Sequence, residues 1–469
     1  MRKEASSAGR AFLNLESGDF LFPEEPLFPE EVEQRRVKAE LILAANKAMG
    51  VDFAAVGDQD LRLGVEYLKT AAERHKFPFY CANIVAADGT KPFPGRVIKT
   101  VGGVKVGLFS VITTTTGFDA KPLFAGNPNY KVEDPFAAAK QEVKALQSEG
   151  AQVIVAVTHL GLTDDMRLGN EVPGIHFVFG GHSSSQLTEP NKAGSTWVMQ
   201  SGSRGKYIGR LDIDLKGELP GALATIADVS SQQKLQERIK HYESEVQSLK
   251  ARLEAETDAD RKTMIQDQVD FYTEQLGLES KNLPADAKNV SSLKNEIVAF
   301  SREIADEPKV SALVAAALDK ISTLPPPPVV GLENVKGPET GPFVGAAVCQ
   351  ACHVPQGTQW RSTGHAKAFQ TLEKENHAVD FDCVACHTTG YRKEGGPKDP
   401  FTTAGFGGVQ CESCHGAGRA HATDPKKVKL TKTFDEAFCR TCHSVEQTGD
   451  RFVFSEYLSK VAHPNPKPK

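Results

Sequence analysis

At 469 residues the chain exceeds one ordinary domain, and its 40% hydrophobic content is enough for folded cores, so two or three domains are expected. The net charge of −5 comes without a basic stripe, which argues against nucleic acid as a partner. No run of about 18 apolar residues occurs, so no transmembrane helix is expected.

Residues 1–228 alternate short apolar runs with helical patterns, as in an α/β domain with mainly parallel pairing near the middle of its sheet. Strands are predicted at 11–15, running into Glu16-Ser17-Gly18-Asp19, and at 53–56, 79–83, 104–112, 153–157, 177–179, 196–200 and 210–215. A helix is predicted at 31–49, where Val37, Leu41, Ala44, Ala45 and Ala48 fall near helical spacing before Gly50 as a cap. Further helices are predicted at 61–75 and at 134–149, the latter ending at Gly150. Cys81, in a predicted strand, reads as a small core residue.

Residues 229–324 read as helical. Leu235, Ile239, Tyr242, Val246, Leu249 and Leu253 recur at spacings of four and three, as in a heptad seam. After a break at 257–260 a second helix is predicted at 261–276. The simplest reading is an antiparallel helical hairpin; the alternative is a dimerisation or docking arm over 232–278. Further helix is predicted over 290–322. Pro325-Pro326-Pro327-Pro328 opens a stiff linker, 325–342.

Residues 343–469 carry the strongest signal. Cys-x-x-Cys-His occurs four times, as Cys349–Cys352–His353, Cys383–Cys386–His387, Cys411–Cys414–His415 and Cys439–Cys442–His443, using eight of the nine cysteines. This is the attachment signature of c-type haem: two thiols bond the haem vinyl groups and the adjacent His is the proximal iron ligand. Zinc would need four ligands per site, and each unit supplies three. Four covalent c-type haems are therefore expected. Little periodicity and much Gly fit a loop-rich, mainly helical domain whose core is haem. Covalent haem attachment places the protein in the periplasm or on the outer cell surface. Residues 1–10 show no apolar signal segment, so a leader is expected upstream or removed.

The distal iron positions can be counted. The last of the five methionines is Met264, so methionine ligation from within this domain is ruled out. Its four further histidines, His365, His377, His421 and His463, are the distal candidates. Bis-histidine ligation implies low-potential carriers that exchange electrons with redox partner proteins. His463 lies in a Pro/Lys-rich tail and marks where one iron could stay open. An open iron would allow a second reading, a haem enzyme that reduces a small nitrogen or sulfur compound.

The haem domain resembles the tetrahaem cytochromes of nitrifying bacteria that accept electrons from hydroxylamine oxidoreductase. The resemblance covers about residues 343–445. It rests on Val344-Gly345 with the first motif, on Trp360 with His365-Ala366, and on Cys411-Glu412-Ser413-Cys414-His415-Gly416 with Gly418 and His421.

Residues 10–215 resemble the metallophosphoesterase domain of 5′-nucleotidases. The matching blocks include Glu16-Ser17-Gly18-Asp19, Val56-Gly57-Asp58, Ala82-Asn83-Ile84-Val85, Val157-Thr158-His159-Leu160-Gly161, Gly180-Gly181-His182-Ser183 and Gln200-Ser201-Gly202. The resemblance implies a four-layer α/β sandwich with two metal ions held at strand ends. Asp19, Asp58, His159 and His182 are the ligand positions it carries over. Three departures stand out. No Asp-x-His precedes Asp19. Gln59 stands where the family has a charge-stabilising His. Ser184 stands where the family has a second histidine ligand. The resemblance thus implies one divalent ion at most and a retained scaffold, with a nucleotide phosphoesterase bearing an accessory cytochrome as the alternative.

Overall fold

The computed structural model describes residues 2–24, 27–116, 121–219, 221–224, 226–281, 290–301, 303–325 and 341–463. The chain forms two compact units, Met1–Glu25 with Ile42–Asp306, and Pro26–Leu41 with Glu307–Lys469. Among the described residues no helix is long and apolar enough to cross a membrane.

The first unit is built on two layers of strands. Three short parallel strands, β1 (Leu15–Glu16), β2 (Phe53–Ala55) and β3 (Phe79–Tyr80), pair in that order. They are connected by helices α1 (Val32–Met49) and α2 (Val65–His75). The larger sheet contains β4 (Arg96–Val101), β5 (Val104–Ile112), β6 (Val153–His159), β7 (Phe177–Gly180), β8 (Asn191–Ala193) and β9 (Thr196–Met199), in the order β8-β9-β7-β6-β5-β4. Its four central strands are parallel and its two edges antiparallel. Every residue of β6 is buried, as a near-continuous apolar run covered on both faces should be.

One face of the large sheet packs Phe109, Ile154, Ala156 and Val178 against Ala139, Val143 and Leu146 of α3 (Pro135–Ser148) and Leu168 of α4 (Leu162–Glu171). The other face packs Leu108, Val155, Val157, Phe177 and Trp197 against Phe53, Ala55 and Leu293. Helix, sheet, sheet and helix thus form the expected four layers. Asp134 caps α3 by accepting from the Ala137 N–H, and Pro135 occupies the first turn, where a missing donor costs nothing.

A third sheet joins β10 (Tyr207–Asp214), β11 (Ala227–Asp228) and β12 (Ser292–Ala299) in the order β10-β12-β11. This corrects the expectation of helix over 290–322. Ser292–Ala299 is a strand, paired antiparallel to β10 along its whole length, and only α7 (Pro308–Ser322) is helical there. The buried positions Leu293 and Asn295 alternate at the strand period of two. Between β11 and β12 lies the hairpin of α5 (Gln232–Ala255) and α6 (Ala259–Lys281), its seam filled by Leu249, Ile265 and Val269 with Leu253 and Tyr272. Helix α6 is longer than the predicted 261–276. The first strand is shorter than predicted, and α2 begins at Val65 because Gly64 takes a positive φ of 89°.

In the second unit, Val37 packs on Ala317 and Ile321, with Leu41, Leu324 and Val379 around them. Arg35 and Lys38 ion-pair with Asp382, and Lys38 also with Asp380. The rest is short helices and loops. Glu412, 1% exposed, accepts from the backbone N–H groups of Val344, Gly345 and Gly418 and ties three loops together. Most of the predicted Pro-rich linker, 326–340, lies outside the described residues.

Candidate functional site

Asp19, Asp58, His159 and His182 meet at the C-terminal ends of β1, β2, β6 and β7. His159 Nε2 lies 3.0 Å from Asp19 Oδ2 and 3.1 Å from Asp58 Oδ1. His182 Nδ1 lies 3.1 Å from the same Asp58 oxygen and 3.3 Å from His159 Nε2. All four ligand atoms fall within 4.8 Å of one another. Two of these residues adopt left-handed backbone conformations uncommon outside glycine, Asp19 at φ 61° and His182 at φ 72°. Glycine is required opposite them: a Cβ on Gly57 would clash with the Asp19 carboxylate.

The supporting contacts aim these ligands. His159 Nδ1 hydrogen-bonds the Ser17 carbonyl at 2.8 Å, which turns Nε2 into the cluster. The second oxygen of Asp19 accepts from the Gln59 backbone N–H at 2.7 Å, and that of Asp58 from the Gln59 side-chain amide at 2.8 Å. Asp60 receives N–H bonds from Asp19, Phe20, Leu21 and Gly57 and pins the two loops to each other. Burial pushes the His159 imidazole towards neutrality. The charge of Asp19 and hydrogen bonds to Asp19 and Asp58 outweigh it and hold the ring protonated well above the usual histidine range. Burial likewise pushes the Asp58 carboxyl up, and hydrogen bonds to His159 and His182 hold it below the usual range. Two carboxylates and two imidazoles on one point suit a borderline divalent ion, whose binding would displace the proton of His159.

The departures have structural counterparts. Ser184 is exposed, and Ser183 hydrogen-bonds Gln200 and the Leu162 N–H. Asn83 is fully buried, its amide bonded to backbone atoms of Ile112 and Glu133. A hydrogen-bonded chain runs from buried Thr158 through Asp165 and Gln200 to Ser183, the residue after His182, with links of 2.5, 2.7 and 2.7 Å. Asp60, Asp165 and the orienting role of Gln59 were not evident from sequence, because each acts through a fold contact. Cys81 is buried, and burial pushes its thiol up to about 11, as for an inert core thiol.

In the second unit the histidines pair. His353 faces His421 with ring centroids 6.2 Å apart, His443 faces His365 at 6.0 Å, and His415 faces His463 at 5.8 Å. Each pair joins a motif histidine to one of the distal candidates. Two imidazoles bound to opposite sides of one metal, each at about 2 Å, would have centroids about 6 Å apart. The residues therefore fit an iron between each pair. Nδ1 of His415 and of His421 hydrogen-bonds the carbonyls of Thr431 and Val428, at 2.5 and 2.8 Å, leaving Nε2 as the ligand atom. Burial, then the charge of a neighbouring histidine, lowers the pKa of His365, His443 and His463, which favours the neutral, metal-binding form.

The first two cysteine pairs lie within helices Ala346–Cys352 and Phe381–His387, and Cys411–His415 is itself a helix. The motifs are neighbours: Cys349 lies beside Cys411 and Cys386 beside Cys442. His463, doubtful from its tail position, stands against His415. His387, anchored by Nδ1 to the Ala368 carbonyl at 2.7 Å, is not among these ring pairs. His377 instead lies beside Asp380 and Cys383, its Nδ1 buried without a partner.

The family described as cytochrome c554 and c-prime matches residues 348–416. The silent protein UshA(0) of Salmonella typhimurium strain LT2 is 28% identical over 257 residues, 47% of this chain and 44% of that protein. A 5′-nucleotidase of Vibrio vulnificus strain CMCP6 is 25% identical over 253 residues, with the same coverage of 47% and 44%. The chain thus spans less than half the length of these curated relatives. The crystal structure of a 5′-nucleotidase precursor from Thermus thermophilus is similar at 17% identity and a TM-score of 0.44, over 69% of this chain and 52% of that one. With the strand order and layering of the first unit, the sequence matches support a fusion of a 5′-nucleotidase-like metallophosphoesterase domain with a segment similar to the cytochrome c554 and c-prime family.

Proposed function

We propose that the protein is an electron carrier of the periplasm or outer cell surface that holds four c-type haems. The observation that carries this reading is the set of three histidine pairs, each spaced for one iron. Bound haem supplies one-electron chemistry; the chain fixes the ligands, the spacing and the exclusion of water. Adjacent motifs support transfer from site to site within the unit. The test is expression with cytochrome c maturation factors and pyridine haemochrome analysis. Four covalent haems per chain are expected, with low-spin spectra, and His421→Ala should convert one haem to a high-spin form. Fewer than three haems, or spectra unchanged in that variant, would sink the assignment. Carbon monoxide separates carrier from haem enzyme: binding to one ferrous haem, most simply the one served by His387, would favour reduction of a small nitrogen or sulfur compound.

A second reading concerns the first unit. The convergence of Asp19, Asp58, His159 and His182 supports a site for one divalent ion. Gln59 cannot donate a proton as a histidine can, so a scaffold without phosphoester turnover is favoured. An assay on nucleotide monophosphates with manganese or zinc tests this. Turnover that survives purification and disappears in His159→Ala would restore the phosphoesterase as a main activity.

A further inference from the structure

Residues 424–434 cross the second unit as a coil between the helices Arg419–Thr423 and Glu436–Arg440. The inward side of this strap is committed to histidines. The Val428 carbonyl holds His421, the Thr431 carbonyl holds His415, and the Phe434 ring lies edge-on to His415 at 5.3 Å. The outward side carries Lys426, Lys427, Lys429 and Lys432, all exposed. Lys427 lies 3.7 Å from Asp424. Among the described residues the other three form no ion pair. Four like charges in seven residues repel one another, on a chain whose net charge is −5. A run of charge is usually only a solvated face. This one is fastened by its own backbone to ligands of two histidine pairs, His353/His421 and His415/His463.

We propose that this lysine strap is the docking surface for an acidic redox protein, and that electrons cross between the two proteins at the His353/His421 and His415/His463 sites. The inference rests on the electron-carrier reading. The step transfers one electron and no atoms: the partner's centre is oxidised as one iron here passes from ferric to ferrous, or the reverse. A positive patch over the exchange sites raises the encounter rate with a negative partner and orients it, and salt screens that attraction.

The test uses the haem-loaded full chain with flavodoxin, an acidic one-electron donor, as the probe. Calorimetry measures binding and stopped flow measures haem reduction, each across a salt series. The variant carries Lys426→Gln, Lys427→Gln, Lys429→Gln and Lys432→Gln, which leave the backbone carbonyls in place. A control removes equal charge elsewhere, with Lys144→Gln, Lys240→Gln, Lys250→Gln and Lys262→Gln, all exposed positions. Binding and reduction should weaken by about tenfold in the strap variant and lose most of their salt dependence. The control should match the parent, and reduction by dithionite should be equal in all three. Equal losses in strap variant and control, or no loss in the strap variant, would overturn the proposal. Absence of covalent haem in the purified chain would fail the carrier reading, and this docking role with it, whatever the binding data show.

Discussion

The Gln59 side chain holds one oxygen of Asp58 while its backbone N–H holds one oxygen of Asp19. Sequence comparison showed only that a histidine was missing there; the structure shows an orienting residue for two ligands. Gln59→Ala should therefore weaken divalent-ion binding by about 10–100-fold, as loss of an outer-shell contact does, whereas Asp58→Ala should abolish it. Manganese or zinc titration by calorimetry checks both, and equal affinities in Gln59→Ala and the parent would refute the orienting role. Asp165 offers a pH signature. Burial pushes its carboxyl up to about 6, although Thr158 and Gln200 hydrogen-bond it. Between about pH 4, the ordinary aspartate value, and about pH 6 the folded chain holds a proton that the unfolded chain has released, so stability falls as pH rises through that window. The whole effect is about 3 kcal/mol at most. Asp165→Asn should flatten this slope in urea titrations of the first unit, and an unchanged slope would place the titration elsewhere. His159 and His182 were legible as ligands because their blocks keep the family pattern. Asp60 and Asp165 were not, since an isolated aspartate looks the same on a solvated loop as in a buried network.

At the scale of elements, legibility followed burial. Strand β5 was placed to the residue because its apolar run has Gly102-Gly103 before it and buried positions throughout its second half. Strand β12 was read as helix because one of its two core positions is Asn295, whose amide donates to the carbonyls of Leu187 and Thr188. A polar residue in a core position breaks the apolar alternation on which strand prediction rests. Its assignment has a consequence for the hairpin. Strands β11 and β12 pair side by side, Ala227 with Ser292 and Asp228 with Leu293, so α5 and α6 leave and re-enter the sheet at one place. The hairpin fills its own seam with Leu249, Ile265 and Val269. Replacing residues 232–281 by a short Gly/Ser loop should leave β10, β11 and β12 paired, since loop-closure entropy changes slowly with length. Circular dichroism should report loss of helix, and the divalent-ion affinity should stay within about twofold of the parent, a shift of about 0.4 kcal/mol. Collapse of the ion site on excision would show that the hairpin supports the sheets.

The two units differ in what fills them. The first has an apolar layer on each face of its large sheet, with Phe109, Ile154, Leu146 and Leu168 on one side and Phe53, Leu108, Phe177 and Leu293 on the other. Over 341–463 the buried apolar side chains are Phe343, Val344, Ala346, Leu372, Phe381, Val384, Phe406 and Phe452. At about 1.5–3 kcal/mol for each large side chain, that burial falls far short of the conformational entropy of more than a hundred ordered residues. Clamps such as Glu412 fix where loops lie but bury little apolar surface. Covalently held haem would supply the missing core, so folding of the second unit should be linked to haem attachment. Changing all eight motif cysteines to serine tests this on the full chain. Calorimetry of the haem-loaded parent should show a transition for each unit. The serine variant should keep the first transition, lose the second, and become protease-sensitive after residue 341. Its divalent-ion binding at Asp19, Asp58, His159 and His182 should survive, because that site is built from the first unit alone. A serine variant that retained a cooperative second transition would mean that the Cys-x-x-Cys-His unit folds on its polar ties and eight buried side chains, and that its haems are guests rather than core.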